Sequence, residues 1–418
     1  QDFVDPSFDM VTEERSQHRI RQRDDLYAHE IFDPPPYDGV LVSMVVVQGF
    51  NVGTGKYSMA QRHRFLREGV RGFLRVPSSD PRLETFGDCG AFSYVREQEP
   101  PFGPSEVFDF YQDCGFDYGL SVDHVIPVFK PELDETIPLP GMGSEIEKWQ
   151  QRQDITIQMA REFKSLCNAR KPSFEPVGVA QGWSPRSYAG AVDLLQSMDY
   201  SMIALGGLVS LKTTDILDVL YAVEGIRKQS TQLHLLGVTR LDAIAEFASL
   251  GVNSFDSTAP LMRAFKDKDK NYYLGSRTFS AIRVPQVNGN PRLQRRILAG
   301  EVDSSVASKK EREVLRLLIK FEQDEVSLAT TLEAVLEYEN LFDPKADREV
   351  QYRQTLTERP WTRCECEVCT DIGIHVVIFR GAERNRRRGF HNIQDFSTSL
   401  SKALDTDSDD ATSEFRNA

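Results

Sequence analysis

From residue 39 onward the chain alternates two kinds of apolar pattern. Short continuous runs occur at "GVLVSMVVV" (39–47), "GFLRV" (72–76), "ETFGD" (84–88) and "YGLSVDHVI" (118–126). They continue at "FEPVGVAQG" (174–182), "YSMIALGG" (200–207), "LHLLGVT" (233–239) and "GVNSFDST" (251–258). Continuous rather than alternating runs are the mark of strands buried on both faces. Between the later runs lie amphipathic stretches, "SPRSYAGAVDLLQSM", "TTDILDVLYAVEGIRKQ" and "RLDAIAEFASL", each opening near a Ser, Thr or Asp capping residue. Strand–helix alternation predicts an α/β protein with a parallel sheet, and eight strands predict a closed (β/α)₈ TIM barrel over 39–300. An open doubly wound sheet is the alternative, but no G-x-G-x-x-G turn follows the first strand.

The flanks read differently. Residues 1–38 are polar and proline-rich ("FDPPPYDG") and predict an arm. Two helices, "ASKKEREVLRLLIKFEQ" and "VSLATTLEAVLEYENLF", predict a helical segment over 301–345. A cysteine-bearing segment and a final helix follow over 346–400, and 401–418 reads as an acidic, disordered tail. No run of 18 apolar residues appears, so no membrane span is expected, and the absence of an apolar signal core near the start predicts a cytoplasmic protein.

The 418 residues carry a net charge of −13, which by itself argues against a nucleic-acid partner. The charge is unevenly placed, however. Basic clusters stand at Arg62–Arg75, at Arg292, Arg295 and Arg296, and at Arg384, Arg386, Arg387 and Arg388. The first two serve equally well as solvated helix faces. The third lies between the cysteines and a histidine, where phosphate contacts are a reasonable expectation.

In a barrel, chemistry collects at the C-terminal ends of strands. Those ends carry Asp88 ("GDCGAF"), Asp123 ("SVDHV"), Gln181 ("VAQGW"), the Gly206–Gly207 pair ("ALGGL") and Asp256 ("SFDST"). Each carboxylate could instead cap the following helix. As a set they suit glycosidic chemistry, one carboxylate attacking an anomeric carbon while another moves a proton. An amide and a glycine pair suit a flat heterocycle, and Phe92 could stack on its face.

These segments resemble, in order, the tRNA-guanine transglycosylases, which exchange guanine for a 7-deazaguanine base. "DCGAF" matches the Asp-Ser-Gly-Gly-Tyr/Phe element, "VDH" the substrate aspartate, "VAQG" the Gln-Gly, "LGGL" the Gly-Gly-Leu, "LLGV" the Leu-Met-Gly-Val and "FDSTAP" the nucleophile segment. The resemblance implies that Asp256 is the nucleophile at C1′ and Asp88 the general acid/base. It implies that Asp123, Gln181, Gly206 and Gly207 hold the base edges, with Phe92 and Leu236 on its faces. It also implies that Cys364, Cys366, Cys369 and His391 form a structural Zn²⁺ site. Cys366 and Cys369 have redox spacing, yet the third thiol and the histidine favour zinc; His375, in apolar "GIHVVIF", is a competing ligand placed behind His391.

Several departures bear on substrate. Ser93 stands where bacterial tRNA enzymes have Gln, His124 follows Asp123, and Leu236 replaces a Met. With "DCGAFSY" and "RRRGFHN", these are similar to the DNA-modifying branch, which inserts 7-cyano-7-deazaguanine (preQ0) into DNA. The expectation is therefore guanine exchange in DNA through a covalent aspartyl intermediate, with tRNA, or a non-catalytic nucleic-acid-binding subunit, as alternatives. A target base must leave its stack, so a helper protein that opens the duplex is a conceivable partner. Related tRNA enzymes dimerise, which makes a homodimer one expected assembly.

Overall fold

The computed structural model describes residues 3–51, 55–77, 83–135 and 143–414, with side chains described as far as residue 405. Residues 37–257, with those from 403 onward, compose one compact unit, and residues 1–36 with 258–402 compose another.

The first unit is built on a seven-stranded sheet in strict sequence order. Its strands are β1 (Gly39–Ser43), β2 (Glu84–Asp88), β3 (Tyr118–Leu120), β4 (Glu175–Ala180), β5 (Met202–Leu205), β6 (Gln232–Leu235) and β7 (Val252–Phe255). Every neighbouring pair is parallel. The crossovers carry helices α1 (Met59–Leu74), α2 (Pro104–Cys114), α3 (Gly143–Arg170), α4 (Pro185–Ser197), α5 (Thr213–Glu224) and α6 (Ile244–Ser249). Ser184 opens α4, its hydroxyl accepting from the Ser187 N–H, and Pro185 occupies the first turn.

The sheet curls. Phe86 on β2 and His234 on β6 are four strands apart, about 19 Å on a flat sheet. Their rings nevertheless stack at 5.3 Å, as only a sheet rolled toward a barrel allows. The interior is filled by Phe86, Leu120, Val177, Val179, Met202 and Ala204, with Leu41, Tyr118 and Leu236 against them. Outside, Phe65, Phe73, Phe108, Tyr111, Phe163 and Phe174 pack between the early strands and α1–α3.

The sheet has seven strands where eight were expected. The segment "GFLRV" (72–76) belongs to the end of α1 and its cap. An apolar run of that length cannot be told from a buried helical turn by periodicity. Gly69, at φ +71°, interrupts the helix just before it; a Cβ there would meet the Cys114 carbonyl oxygen at 2.8 Å. Phe65, Val70 and Phe73 then point into the core. The long first run also divides, into β1 and a short helix Met44–Gln48.

The second unit holds the two expected helices, α7 (Ser304–Glu322) and α8 (Leu328–Phe342), and residues 381–402 of a last helix, α9 (Gly381–Glu414). A hairpin of β8 (Tyr272–Leu274) and β9 (Arg277–Phe279) accompanies a parallel pairing of β10 (Ile282–Arg283) with β11 (Ile378–Phe379). The acidic run read as a disordered tail continues α9 as far as Glu414. Extending a helix that is already nucleated costs little per residue, even where the composition is poor. Among the described residues no helix is long and apolar enough to cross a membrane.

Candidate active site and metal centre

The residues singled out at strand ends do gather at one end of the sheet. Asp88 closes β2, and Gln181, Gly206, Leu236 and Asp256 each directly follow β4, β5, β6 and β7. Asp123 lies three residues beyond β3. Parallel strands aim their C-terminal ends the same way, so consecutive loops deliver these side chains to a common mouth.

Asp123 is the most enclosed of the three carboxylates, 3% exposed. Its Oδ2 accepts from Gln181 Nε2 at 2.6 Å, and its Oδ1 accepts from the Cys89 thiol at 3.3 Å. Burial, helped by the charge of Asp88, pushes its carboxyl up to about 7. Behind it, Tyr94 donates to the Asp123 carbonyl at 3.1 Å and lies 3.0 Å from Cys89 Sγ. Burial and the two neighbouring aspartates hold the Cys89 thiol well above its ordinary value, so Cys89 is a neutral donor.

Asp88 is half-buried. Its Oδ2 accepts from the Ser43 hydroxyl at 2.6 Å, across the β1–β2 register pair. Burial raises its carboxyl, and the charge of Asp256 adds to that, against hydrogen bonds from Ser43 and the Gly90 backbone. A carboxyl held up in this way can keep a proton for delivery. The side chain of Asp256 is 30% exposed. Its Oδ1 accepts from the Gly237 N–H at 2.9 Å and faces His234 Nε2 at 3.4 Å. Asp88 and Asp256 thus both stand at the C-terminal end of the sheet, one closing β2 and the other directly after β7.

The glycine pair is there for clearance. A Cβ on Gly206 would lie 2.2 Å from Gln181 Nε2, and Gly207 has φ +78°. Tyr188 fixes this turn by donating to the Gly206 carbonyl at 2.8 Å. Leu236 is half-buried against the barrel interior. Phe92, on the turn Ala91–Tyr94, is 56% exposed, a large ring facing solvent four residues after Asp88.

In the second unit Cys364, Cys366, Cys369 and His391 converge, their donor atoms within 4.8 Å of one another. The three sulfurs stand 3.5, 3.5 and 3.4 Å from His391 Nδ1. Tetrahedral bonds of about 2.3 Å to sulfur and 2.0 Å to nitrogen give edges of about 3.5 Å, so the donor set fits a four-coordinate metal with no open position. His391 Nε2 lies 2.7 Å from the Tyr273 carbonyl, which assigns the proton to Nε2 and frees Nδ1 for the metal. Tyr272 stacks on the imidazole at 4.1 Å. His375 stands apart from this group, half-buried in the turn Gly373–Val377 and paired with Arg384 at 3.5 Å.

The arginine row is not laid out for phosphate. Arg384, Arg387 and Arg388 are 1, 4 and 0% exposed. Arg384 pairs with Glu13 and the Met10 carbonyl. Arg387 donates to the Asp5 carbonyl at 2.7 Å, and Arg388 to the Ala264 carbonyl at 2.6 Å. Arg386 is half-buried, 3.4 Å from Glu383 and over the Phe3 ring. Arg384, Arg386 and Arg387 hold residues 3–13 to the last helix and Arg388 ties that helix to Ala264, because a charge removed from water needs its partners in place. Sequence reading missed Ser43, Cys89, His234 and Glu13 as working partners. Only His234 carried a signal, as a polar residue on the inward side of an apolar strand.

Carboxylates, an amide and a glycine pair gathered at one end of a curled parallel sheet are an arrangement suited to glycosidic chemistry on a flat base. No protein-family model matches the chain. Over 417 residues it is 46% identical to a DNA-guanine transglycosylase of Salmonella montevideo, covering 98% of this chain and 97% of that protein. The chain belongs to the tRNA-guanine transglycosylase family, in its DNA-modifying branch.

Proposed function

We propose that this protein exchanges guanine in DNA for a 7-deazaguanine base, preQ0 being the first candidate, by two displacements at C1′. The observation that carries the reading is that Asp88 and Asp256 stand at the same end of the sheet, the Asp88 carboxyl raised by burial and further by the charge of Asp256. Asp256 attacks C1′ as the C1′–N9 bond breaks, and Asp88 gives its proton to the departing guanine. The incoming base returns a proton to Asp88, its N9 bonds C1′, and the Asp256 carboxylate leaves. Inversion twice at one carbon retains configuration and leaves the backbone intact.

The base edge would meet Asp123, Gln181 and the backbone of Gly206 and Gly207, with Phe92 and Leu236 on its two faces. The exposure of Phe92 supports this, since a ring left in solvent gains by stacking. Cys364, Cys366, Cys369 and His391 would hold Zn²⁺, which contributes folding free energy and takes no part in the displacement. The DNA substrate is supported by the name of the Salmonella relative; tRNA is the second reading, supported by the wider family. A duplex-opening helper and a homodimer remain compatible proposals.

The test offers labelled preQ0 with plasmid DNA and, separately, with unmodified tRNA, and counts label in each polymer. Label in DNA alone is expected, with none for Asp256→Ala and no covalent adduct on a denaturing gel. Label in tRNA alone, or full activity in Asp256→Ala, would overturn the reading.

A further inference from the structure

The hydrogen bonds to Asp256 are one-sided. Among the described residues both side-chain contacts, from the Gly237 N–H at 2.9 Å and His234 Nε2 at 3.4 Å, fall on Oδ1. None falls on Oδ2. A carboxylate only accepts, so the proton of the imidazole sits on Nε2, and Nδ1 is left to accept from the Ser254 hydroxyl at 2.8 Å. Ser254 is the β7 residue directly paired with His234 in register. The ring itself is 3% exposed and clamped flat on Phe86, which stacks in turn on Tyr118 at 4.4 Å. Rotation, tautomer and depth of the imidazole are thereby all fixed, with its one free donor aimed at the carboxylate.

We infer that His234 is a positioning residue for Asp256: with Gly237 it anchors Oδ1, presents Oδ2 as the attacking oxygen, and stabilises the carboxylate when it leaves C1′. This rests on the assignment of Asp256 as nucleophile. In the first displacement the Oδ2–C1′ bond forms as C1′–N9 breaks, and the guanine nitrogen takes the proton of Asp88. In the ester, Oδ1 is the carbonyl oxygen and carries less charge. In the second displacement the incoming N9 bonds C1′, its proton passes to Asp88, and the C1′–Oδ2 pair returns to the carboxylate. Negative charge reappears on Oδ1, where two donors already wait, so the donor at His234 favours departure over attack. The 3.4 Å separation is the length to be expected of a bond that tightens once substrate is bound.

His234→Phe keeps the ring on Phe86 and deletes the donor, whereas His234→Gln restores a donor near the position of Nε2. A hydrogen bond to a charged group is worth roughly 10- to 100-fold in rate. The expected result for His234→Phe is kcat lowered by that factor, KM for the base within about twofold, and a larger steady-state fraction of protein covalently bound to DNA. His234→Gln should recover most of the loss, and Ser254→Ala should show a weaker version of the same pattern, carrying the test should the Phe variant fold poorly. Wild-type kcat in His234→Phe, adduct falling in parallel with exchange, or a Gln variant no better than Phe would each overturn the inference. Asp256→Ala, run alongside, separates the two assignments. If it still exchanges base, the nucleophile assignment fails and the inference with it; if it is inert while His234→Phe is unimpaired, only the inference fails.

Discussion

Replacing Asp123 by asparagine removes a charge from the most enclosed part of the mouth, and its effect on stability should change with pH. The carboxyl is lifted from an ordinary 3.8 to about 7, first by burial and then by Asp88. In the folded protein it therefore holds a proton that the unfolded chain has already released. Between pH ~4 and ~7 the folded state binds more protons than the unfolded one, and raising the pH through that window costs stability. At ~1.4 kcal/mol per tenfold change, the ceiling on this cost is ~4 kcal/mol. Neighbouring Asp88 is raised by burial in the same interior and shares part of it. Asp123→Asn keeps the shape and the Gln181 contact without the charge. Urea unfolding at pH 5, 6, 7 and 8 is the assay, with wild type and variant measured together. The variant should gain stability relative to wild type as pH rises, by up to ~3 kcal/mol at pH 8, while kcat/KM for base exchange at pH 8, where the wild-type carboxyl is charged, falls roughly 10- to 100-fold. A stability difference that stays flat from pH 5 to 8 would refute the claim that the mouth stores charge at a cost to the fold.

Cys366→Ala should lose the metal and melt well below wild type, because three donors cannot close the tetrahedron that His391 Nδ1 completes at 3.4–3.5 Å from the sulfurs; full metal occupancy by elemental analysis would contradict the assignment. Glu13→Gln should cost ~2–3 kcal/mol in urea unfolding, since it leaves Arg380 and Arg384 short of a buried counter-charge. Burial opposes ionisation of Glu13, but the hydrogen bonds of Arg380 and Gln286 win and hold it at about 2. That stabilisation is complete above pH ~4.5 and lost as pH falls toward 2, so wild type and variant should converge in acid; a constant gap would count against the pairing.

Strand ends were readable because a parallel sheet imposes both a pattern and a direction on its sequence: Asp88, Gln181, Gly206 and Asp256 each stand directly after an apolar run or at its end. The cysteine cluster was readable too, since Cys364, Cys366 and Cys369 lie within six positions of one another. What stayed hidden depends on pairings that no local pattern records. Ser43 meets Asp88 only through register, and Cys89 meets Asp123 across two loops. "GFLRV" has the composition of a strand and the packing of a helix end. The arginines were misread for a single physical reason: a run of like charges looks available for phosphate until its counter-charges are found, and Glu13 is 371 residues before Arg384.

That last distance bears on how the molecule assembles. The unit carrying the cysteines is discontinuous, with residues 37–257 inserted between its two pieces. Its closing contacts, from Asp5 to Glu383 and from Glu13 to Arg384, have nearly the largest sequence separation the chain permits. During synthesis the sheet of the first unit can pair strand by strand as each emerges, every neighbour being the next in sequence. The cysteine-bearing unit has to wait, Glu13 lacking Arg380 and Arg384 and the Asp5 N–H lacking Glu383, until residues 380–388 leave the ribosome. Closing so long a loop adds only modestly to the equilibrium cost, because that cost grows with the logarithm of length. It weighs on rate instead. A half-made chain leaves Glu13 without its arginine partners, and loss of residues 3–13 strikes the same unit as loss of residues 380–388.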